Sequence, residues 1–249
     1  MANVNTPNTK ELINQLLAEF KANSKKDSGF IDLNKYLGTP NLVINVPAKN
    51  SVKIAKDFYL RHKNLPKKQI EELLHELNKG KTFNEKTIGT LILSHYKGYI
   101  DLISSENIDK WLNNLNGWCE IDVLCQNRFG MFYKLKKQNL LHENWKNWED
   151  LIYKFNKSSN ISKRRASIVL LTSLVKADSN PKYKILSFEL IKNLMHEKDI
   201  LITKAISWLL RSLVKYHKNE VDQFIEQNKE TLPKIAIRET KRKIETGRK

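Results

Sequence analysis

Apolar side chains recur at helical spacing along most of the chain. In the first such segment, about Lys10 to Asn23, they lie three or four residues apart, as on one face of an α-helix. From Ser51 onward similar segments follow in pairs, separated by short polar breaks. The paired helices are predicted near residues 50–61, 67–79, 84–96, 105–115, 117–128, 145–156, 162–177, 181–195, 199–216 and 219–229, with a last helix near 231–246.

Successive pairs begin about 33 to 43 residues apart. This period is typical of HEAT-type helical hairpins, which stack into a curved solenoid. The repeats share little sequence, and no long linker interrupts them. We therefore predict an all-α fold, a superhelical solenoid of HEAT-like antiparallel helix pairs. It forms a single domain over residues 1–249, with residues 1–9 as a disordered lead.

The amino-acid composition favours a helical fold, and the cysteine content favours a reducing compartment. The chain has only 8 Gly and 6 Pro, too few for the turns of an all-β fold. Cys119 and Cys125 are six residues apart, form no metal or redox pair, and indicate no disulfide framework. Residues 1–10 do not resemble a signal peptide, and no apolar run approaches the ~18 residues of a membrane span. We expect a soluble cytoplasmic protein, nucleoid-associated if bacterial.

The chain is strongly basic. There are 44 Lys and Arg against 27 Asp and Glu, so 44 − 27 gives a net charge of +17. Such an excess repels itself unless a polyanion balances it. Nucleic acid is the first candidate and an anionic membrane surface the second, while a lysine-rich proteome would explain the charge without any partner. Stacked helix pairs would give a concave basic face that attracts duplex DNA.

Three of the predicted helices carry more specific features, and the first is "NGWCEIDVLC". Trp118 and Asp122 are four residues apart, so a helix brings both to one side, about 40° apart. A carboxylate beside an apolar face is costly unless it is paired. Asp122 is therefore a structural acid that bonds a backbone N–H or a neighbouring Arg, or it has a functional cation to meet.

The second helix, "NISKRRASIVLLTSLVK", begins with two arginines and is otherwise strongly apolar. Arg164 lies on the apolar stripe, and Arg165 lies beside it. An Arg at the border of a core-facing stripe pairs with a carboxylate or a phosphate. Either an intramolecular salt bridge or phosphate binding explains the pair.

In the third helix, "ILITKAISWLLRSLVKYHK", Trp208 lies outside the core stripe. It falls instead in a row with Lys204, Arg211 and Lys215, at positions i, i+4, i+7 and i+11. An aromatic side chain in a basic row is a footprint for nucleic acid, with the cations on phosphates and the ring against sugar or base. Packing against a neighbouring repeat is the alternative for Trp208.

Together these segments resemble the AlkD-type DNA glycosylases of the DNA alkylation repair family. "GWCEIDVLC" is similar to the family's W-x-x-x-D helix and "SKRRASIVLL" to its R-R-x-A-I-V segment. "TKAISWLLRSLVK" is similar to its K-A-I-x-W-x-L-R-E motif, and "AIRETKRKI" to its terminal R-E-x-x-K helix. "KYLGTPNLVINVP" is a looser match to an early segment. The resemblance runs from about Tyr36 to Ile244, and four motifs in the family's order carry it.

The resemblance implies a superhelix of HEAT-like pairs that removes cationic alkylated purines, such as 7-methylguanine and 3-methyladenine, from duplex DNA. Asp122 matches the catalytic carboxylate, and Trp118 and Trp208 match tryptophans that contact deoxyribose. One of Arg164 and Arg165 matches a phosphate-binding arginine. Tyr36 is matched to an aromatic that completes the cleft, although the segment is a residue shorter here. We expect a monomer without cofactor, metal or membrane partner.

The chain departs from the family pattern in places. Asn45-Val46 replaces a Gly-Val pair, Lys49 an Arg, Ile161-Ser162 an aromatic-acidic pair, and Ser212 the last Glu of the tryptophan motif. The sequence is also consistent with two alternative functions. One is a non-catalytic relative that binds branched or bent DNA. The other is a HEAT scaffold for an acidic protein. The six His residues are dispersed without metal-ligand spacing.

Overall fold

The computed structural model describes most of the chain, namely residues 7–26, 32–126, 131–137 and 140–248, without the side chains of Met131 and Tyr133. Within these ranges there is no β-strand, and an isolated bridge between Leu42 and Thr82 is the only β-type pairing. The all-α class is therefore confirmed. None of the helices in the described ranges combines the length and apolar character needed to cross a bilayer.

The helices within the described residues follow the predicted pattern closely. They are α1 Thr9–Ala22, α2 Leu33–Leu37, α3 Ala48–His62, α4 Lys67–Lys79, α5 Phe83–Leu93, a 3₁₀-helix Lys97–Leu102, α6 Ser105–Leu112, α7 Gly117–Gln126, α8 Met131–Lys137, α9 Leu140–Glu143, α10 Trp145–Asn156, α11 Ile161–Ala177, α12 Pro181–Leu194, α13 Ile200–Gln227 and α14 Lys234–Thr246.

The differences from the prediction concern short or merged elements. The short helices α2, α8 and α9 and the 3₁₀-helix were not predicted. The two helices predicted near 199–216 and 219–229 are one helix, α13, with non-helical backbone at His217 (φ −131°, ψ 40°). Of the predicted disordered lead, residues 1–6 lie outside the described residues. Asn8 and Thr9 instead cap and begin α1.

The chain divides into two compact units, Met1–Leu124 and Cys125–Lys249, and the division falls in the last turn of α7. The single-domain organisation and the concave basic face of the predicted solenoid stay predictions.

In the first unit, helix starts are fixed by local hydrogen bonds and helix faces by apolar packing. Asn8 and Glu11 form a capping box at α1, and Thr82 and Glu85 form one at α5. These caps satisfy backbone N–H groups that have no partner within the helix. α1 packs on α3 and α4, and α5 packs on both of those helices. The buried apolar side chains of these four helices form much of the core of the unit.

In the second unit, α11 is the central helix. It packs against α8, α10, α12 and α13, and α14 packs on α13. Eleven of its 17 residues are buried, which is why its sequence is apolar on almost every side. A helix buried all round is held in place by many neighbours. Side chains at the ends of α11 and on its partner α13 are therefore well positioned.

Hydrogen bonds between successive elements recur at nearly constant sequence separation. In the first unit Trp111 Nε1 donates to His75 Nδ1, 36 residues away, and Asn114 Nδ2 donates to Asn78, also 36 away. In the second unit the Tyr153 hydroxyl donates to Glu189, again 36 residues away. This constant offset is what a stacked helical repeat requires, and it agrees with the predicted period.

Candidate functional site

The first unit carries Trp118 and Asp122, four residues apart on α7. This spacing places their side chains on one side of the helix. Trp118 is 36% exposed, which is unusual for a large apolar side chain, and Asp122 is partly exposed. Asp122 is therefore not sealed in the core.

Tyr36 of α2 fixes the indole of Trp118. The indole Nε1 donates a hydrogen bond to the Tyr36 carbonyl oxygen at 3.2 Å. The two rings also meet edge to face, with centroids 6.5 Å apart and planes at 84°. Tyr36 itself is 63% exposed. Two residues that sequence reasoning linked only through the family resemblance thus form one exposed aromatic pair.

Two glycines permit this close approach of α2 and α7. Gly38 ends α2 with φ +65°, and Gly117 begins α7 with φ +74°. A Cβ atom on Gly38 would lie 2.6 Å from Cδ1 of Trp118, and one on Gly117 only 1.5 Å from the Gly38 carbonyl oxygen. Neither position can hold a larger residue without movement. The sequence analysis did not single out Gly117, whose only local signal is its place before the Trp118 helix.

A second carboxylate on α7, that of Glu120, has a structural role. Glu120 is 1% exposed. Its carboxylate accepts hydrogen bonds from Asn41 Nδ2 at 2.7 Å, from the Asn116 backbone N–H at 2.8 Å, and from the Thr39 hydroxyl. It thereby ties the loop after α2 to the start of α7. Glu120, which the sequence analysis overlooked, is thus a structural acid of α7.

An apolar cavity of about 440 Å³ adjoins this site within the first unit. Tyr36 forms part of its wall, and Cys119 and Val123 contribute from α7. None of its lining residues is charged. The amide of Asn84, one of its few polar groups, is already bonded to the backbone of Ile44. Asn45, Ser51 and Thr87 also line the cavity, so its polar groups are uncharged.

In the second unit, Trp208 lies on the surface of α13 among lysines. The ring is partly exposed, and the Lys176 ammonium lies 6.0 Å from its centroid, within cation–π range. Lys215 is exposed and donates to the Lys176 carbonyl oxygen at 2.8 Å. Lys204 is also exposed. Lys176, at the end of α11, belongs to this basic group although sequence reasoning did not name it as a site residue.

Arg211, the fourth member of the predicted row, is mostly buried. Its guanidinium pairs with Glu239 of α14 at 3.3 Å, with 19% of the side chain exposed. The Ser207 hydroxyl donates to the same carboxylate at 2.5 Å. Ser212, where the family motif has Glu, is buried and bonds the Trp208 carbonyl within the helix. Arg211 thus joins α13 to α14.

The two arginines of α11 also have partners inside the protein. Arg164 forms a two-point ion pair with Glu197, at 2.7 and 3.2 Å, and donates to the carbonyl oxygens of Ser158 and Ser159. Arg165 is 4% exposed and donates to the Leu201 carbonyl oxygen. The intramolecular salt bridge, one of the two explanations considered above, is therefore present at Arg164. Phosphate binding by either arginine stays a prediction.

Each unit thus presents a tryptophan on a helix surface, one beside an acid and one among lysines. Within the described ranges, no three His, Cys, Asp or Glu side chains lie close enough together to hold a metal ion. Exposed aromatic rings with neighbouring cations are typical of helical proteins that bind nucleic acid. The chain belongs to the family of DNA alkylation repair enzymes, whose sequence profile matches residues 16–244. DNA is therefore its implied substrate.

The fold is also found among solved structures. One described as a "Predicted DNA alkylation repair enzyme from Enterococcus faecalis" superimposes with a TM-score of 0.69. The match covers 90% of this chain and 98% of that one, at 15% sequence identity. At this identity the likeness concerns the fold alone. None of the curated proteins matches the chain significantly in sequence.

Proposed function

We propose that the protein is a DNA glycosylase that hydrolyses the N-glycosidic bond of cationic alkylated purines in duplex DNA. Asp122 is the catalytic carboxylate in this proposal, and 7-methylguanine and 3-methyladenine are the expected substrates. Membership of the repair family supports the choice of DNA. The observation that carries the proposal is the pairing on α7 of a partly exposed carboxylate, Asp122, with the exposed, positioned indole of Trp118.

The chemistry needs only one carboxylate. Ordinary glycoside hydrolysis uses two, of which one protonates the leaving group. A purine alkylated at N3 or N7 is already cationic and departs as a neutral base, so no general acid is required. As the bond breaks, positive charge develops on the deoxyribose.

The magnitude of the effect is sufficient. A carboxylate about 4 Å from the oxocarbenium-like centre stabilises it by ~4 kcal/mol at an effective dielectric constant near 20. That energy corresponds to roughly three decades in rate. The same group could orient the attacking water. Glu120 cannot substitute for Asp122, because it is buried and already accepts three hydrogen bonds.

The surrounding groups would bind the sugar and the phosphates. Trp118 and Trp208 would contact deoxyribose, with Tyr36 completing the aromatic surface beside Trp118. Lys204 and Lys215 would contact phosphates, since both are exposed. Of the two arginines in α11, Arg164 is the better phosphate ligand, because Arg165 is only 4% exposed. Arg164 would have to exchange the Glu197 carboxylate for a phosphate.

Selectivity in this proposal comes from the lesion rather than from a pocket. No lining residue of the cavity beside Tyr36 is charged, and the amide of Asn84 is in use. Such a wall provides no charged group to hold a flipped base by its edge, as a base-flipping enzyme could use. Cationic lesions, whose glycosidic bonds are labile, should therefore be excised, and neutral lesions should be poor substrates.

The decisive experiment measures release of 7-methylguanine from alkylated duplex DNA by wild type and Asp122→Asn. We expect the variant to bind DNA normally and to release the base at least tenfold more slowly. Asp101→Asn is a matched control, since Asp101 is an exposed carboxylate elsewhere in the first unit. Equal rates for Asp122→Asn and wild type would exclude this mechanism.

The non-catalytic alternative predicts a different outcome of the same assay. A protein that only binds branched or bent DNA would release no base above the spontaneous rate, yet would bind DNA with steep salt dependence. A scaffold for an acidic protein would show almost no salt dependence on duplex DNA. The two measurements together separate all three functions.

A further inference from the structure

The exposed face of α14 carries a row of cations that the proposed site does not use. Lys234, Arg238 and Arg242 follow each other at intervals of four residues, and all three are exposed. Positions four apart on a helix differ by about 40° in direction, so the three side chains lie within roughly 80° of each other. At 1.5 Å per residue they span about 12 Å along the helix.

Two neighbouring charges of α14, those of Glu239 and Lys241, are paired within the second unit. Glu239 is held by Arg211 and Ser207 of α13. Lys241 forms ion pairs with Asp222 and Glu226 of α13. In contrast, Lys234, Arg238 and Arg242 form no ion pair with any residue that the structure describes. Glu245, near the end of the helix, is the one exposed acid on their face.

The contact through Glu239 joins this row to the basic group around Trp208. Glu239 bonds Ser207, which directly precedes Trp208, and Arg211, which lies one turn further along α13. Arg242 lies three residues after Glu239 and therefore on the same side of α14. The basic side chains of α13 and α14 therefore lie on neighbouring helices. The Glu239 carboxylate at the contact between these helices is already paired with Arg211.

We propose that Lys234, Arg238 and Arg242 of α14 are contacts for the phosphate backbone of duplex DNA, extending the interface from the Trp208 surface of α13. This inference rests on the proposed function only in taking DNA as the partner. A row about 12 Å long suits duplex DNA, which carries one negative charge per ~1.7 Å of its axis. Such contacts carry no sequence information and fix how the protein lies on the duplex.

The test is the salt dependence of binding to a short unmodified duplex, measured for wild type and the triple variant Lys234→Ala, Arg238→Ala, Arg242→Ala. Each phosphate contact contributes about 0.9 to the slope of log K against log salt. We therefore expect the slope to become shallower by about two to three. The unfolding temperature should stay unchanged, because the three side chains are exposed and make no ion pair in the described structure.

A control variant removes the same charge elsewhere. Lys10, Lys21 and Lys56 are exposed lysines of the first unit, on α1 and α3, and their triple Ala variant has the same net charge. Its slope should match that of wild type. An unchanged slope for the α14 variant, or an equal change in the control, would overturn the inference. If Asp122→Asn failed to slow excision, the proposed catalytic mechanism would be overturned. The inference that α14 contacts DNA would not be affected.

Discussion

Gly117 offers the most demanding test of the site geometry, because it begins α7 at its point of contact with α2. Its φ is +74°, and a Cβ atom there would lie 1.5 Å from the Gly38 carbonyl oxygen. Gly117→Ala therefore meets two obstacles at once. The residue must leave a left-handed conformation that L-amino acids avoid, and the backbone of the loop after α2 must move away.

The size of the effect follows from this geometry. Real Cβ contacts are essentially never below 3.0 Å, so the carbonyl and Cβ must separate by about 1.5 Å, the difference between 3.0 and 1.5 Å. Left-handed backbone costs roughly 1–2 kcal/mol for a residue with a Cβ, and forced overpacking about 1–3 kcal/mol. We expect Gly117→Ala to lower the free energy of unfolding by about 2–5 kcal/mol.

The same displacement should affect catalysis, since α7 carries Trp118 and Asp122. A shift of about 1 Å in catalytic groups can cost around 100-fold in rate. Base excision by Gly117→Ala should fall by that order even at temperatures where the variant is folded. The measurements are urea denaturation and release of 7-methylguanine from alkylated duplex DNA. The stability result stands whether or not the protein is a glycosylase.

Gly98 provides the matched control. It lies in the 3₁₀-helix, and a Cβ atom there would meet nothing within 4 Å. Gly98→Ala should leave stability within about 1 kcal/mol of wild type and excision unchanged. If Gly117→Ala were as stable and as active as Gly98→Ala, the close contact between α2 and α7 would not exist as described.

Two further predictions concern charged groups of the second unit. Arg164→Ala should lower the free energy of unfolding by about 1–3 kcal/mol, because Glu197 and two backbone carbonyls lose their donor, whereas Lys204→Ala should leave it unchanged in the same denaturation assay. Burial favours a raised pKa at Asp178, but hydrogen bonds led by that from Lys136, at 2.6 Å, outweigh it and hold the pKa below the usual 3.8. A depressed folded-state pKa stabilises the fold above about pH 4, and this contribution is lost as the pH falls through that pKa. Asp178→Asn should therefore be less stable than wild type at neutral pH. The difference in the free energy of unfolding should shrink as unfolding is measured at progressively lower pH below 4. A difference that stays constant with pH would refute this prediction.

The longer helices could be predicted because the pattern of each one is local in the sequence. An amphipathic segment shows its buried face in the spacing of its own apolar residues, and α4, α10 and α11 begin and end within a residue of the predicted bounds. Short elements such as α2 and α9 lack enough residues to show a period. The kink at His217 was predicted as a break between two helices. The chain continues through it in a single helix, α13.

The candidate site was predictable only in part. The spacing of Trp118 and Asp122 is a property of one helix and needs no tertiary contact. The ion pair of Arg164 depends on Glu197, which lies 33 residues further along the chain. A sequence pattern indicates that such an arginine needs an acceptor. It cannot select a carboxylate over a phosphate, since both satisfy the same guanidinium.

The sequence was enough to infer the all-α class, the approximate bounds of most of the longer helices, the excess of positive charge and the placement of an acid four residues from a tryptophan, since these follow from composition and from spacing within single helices. The tertiary structure was needed to establish that Glu120 is buried and that Asp122 is partly exposed. It also decided that Tyr36 positions the indole and that Arg211 joins α13 to α14. Burial and hydrogen bonding depend on residues that are distant in the chain. A local sequence pattern does not show which of these residues will be in contact in the folded protein.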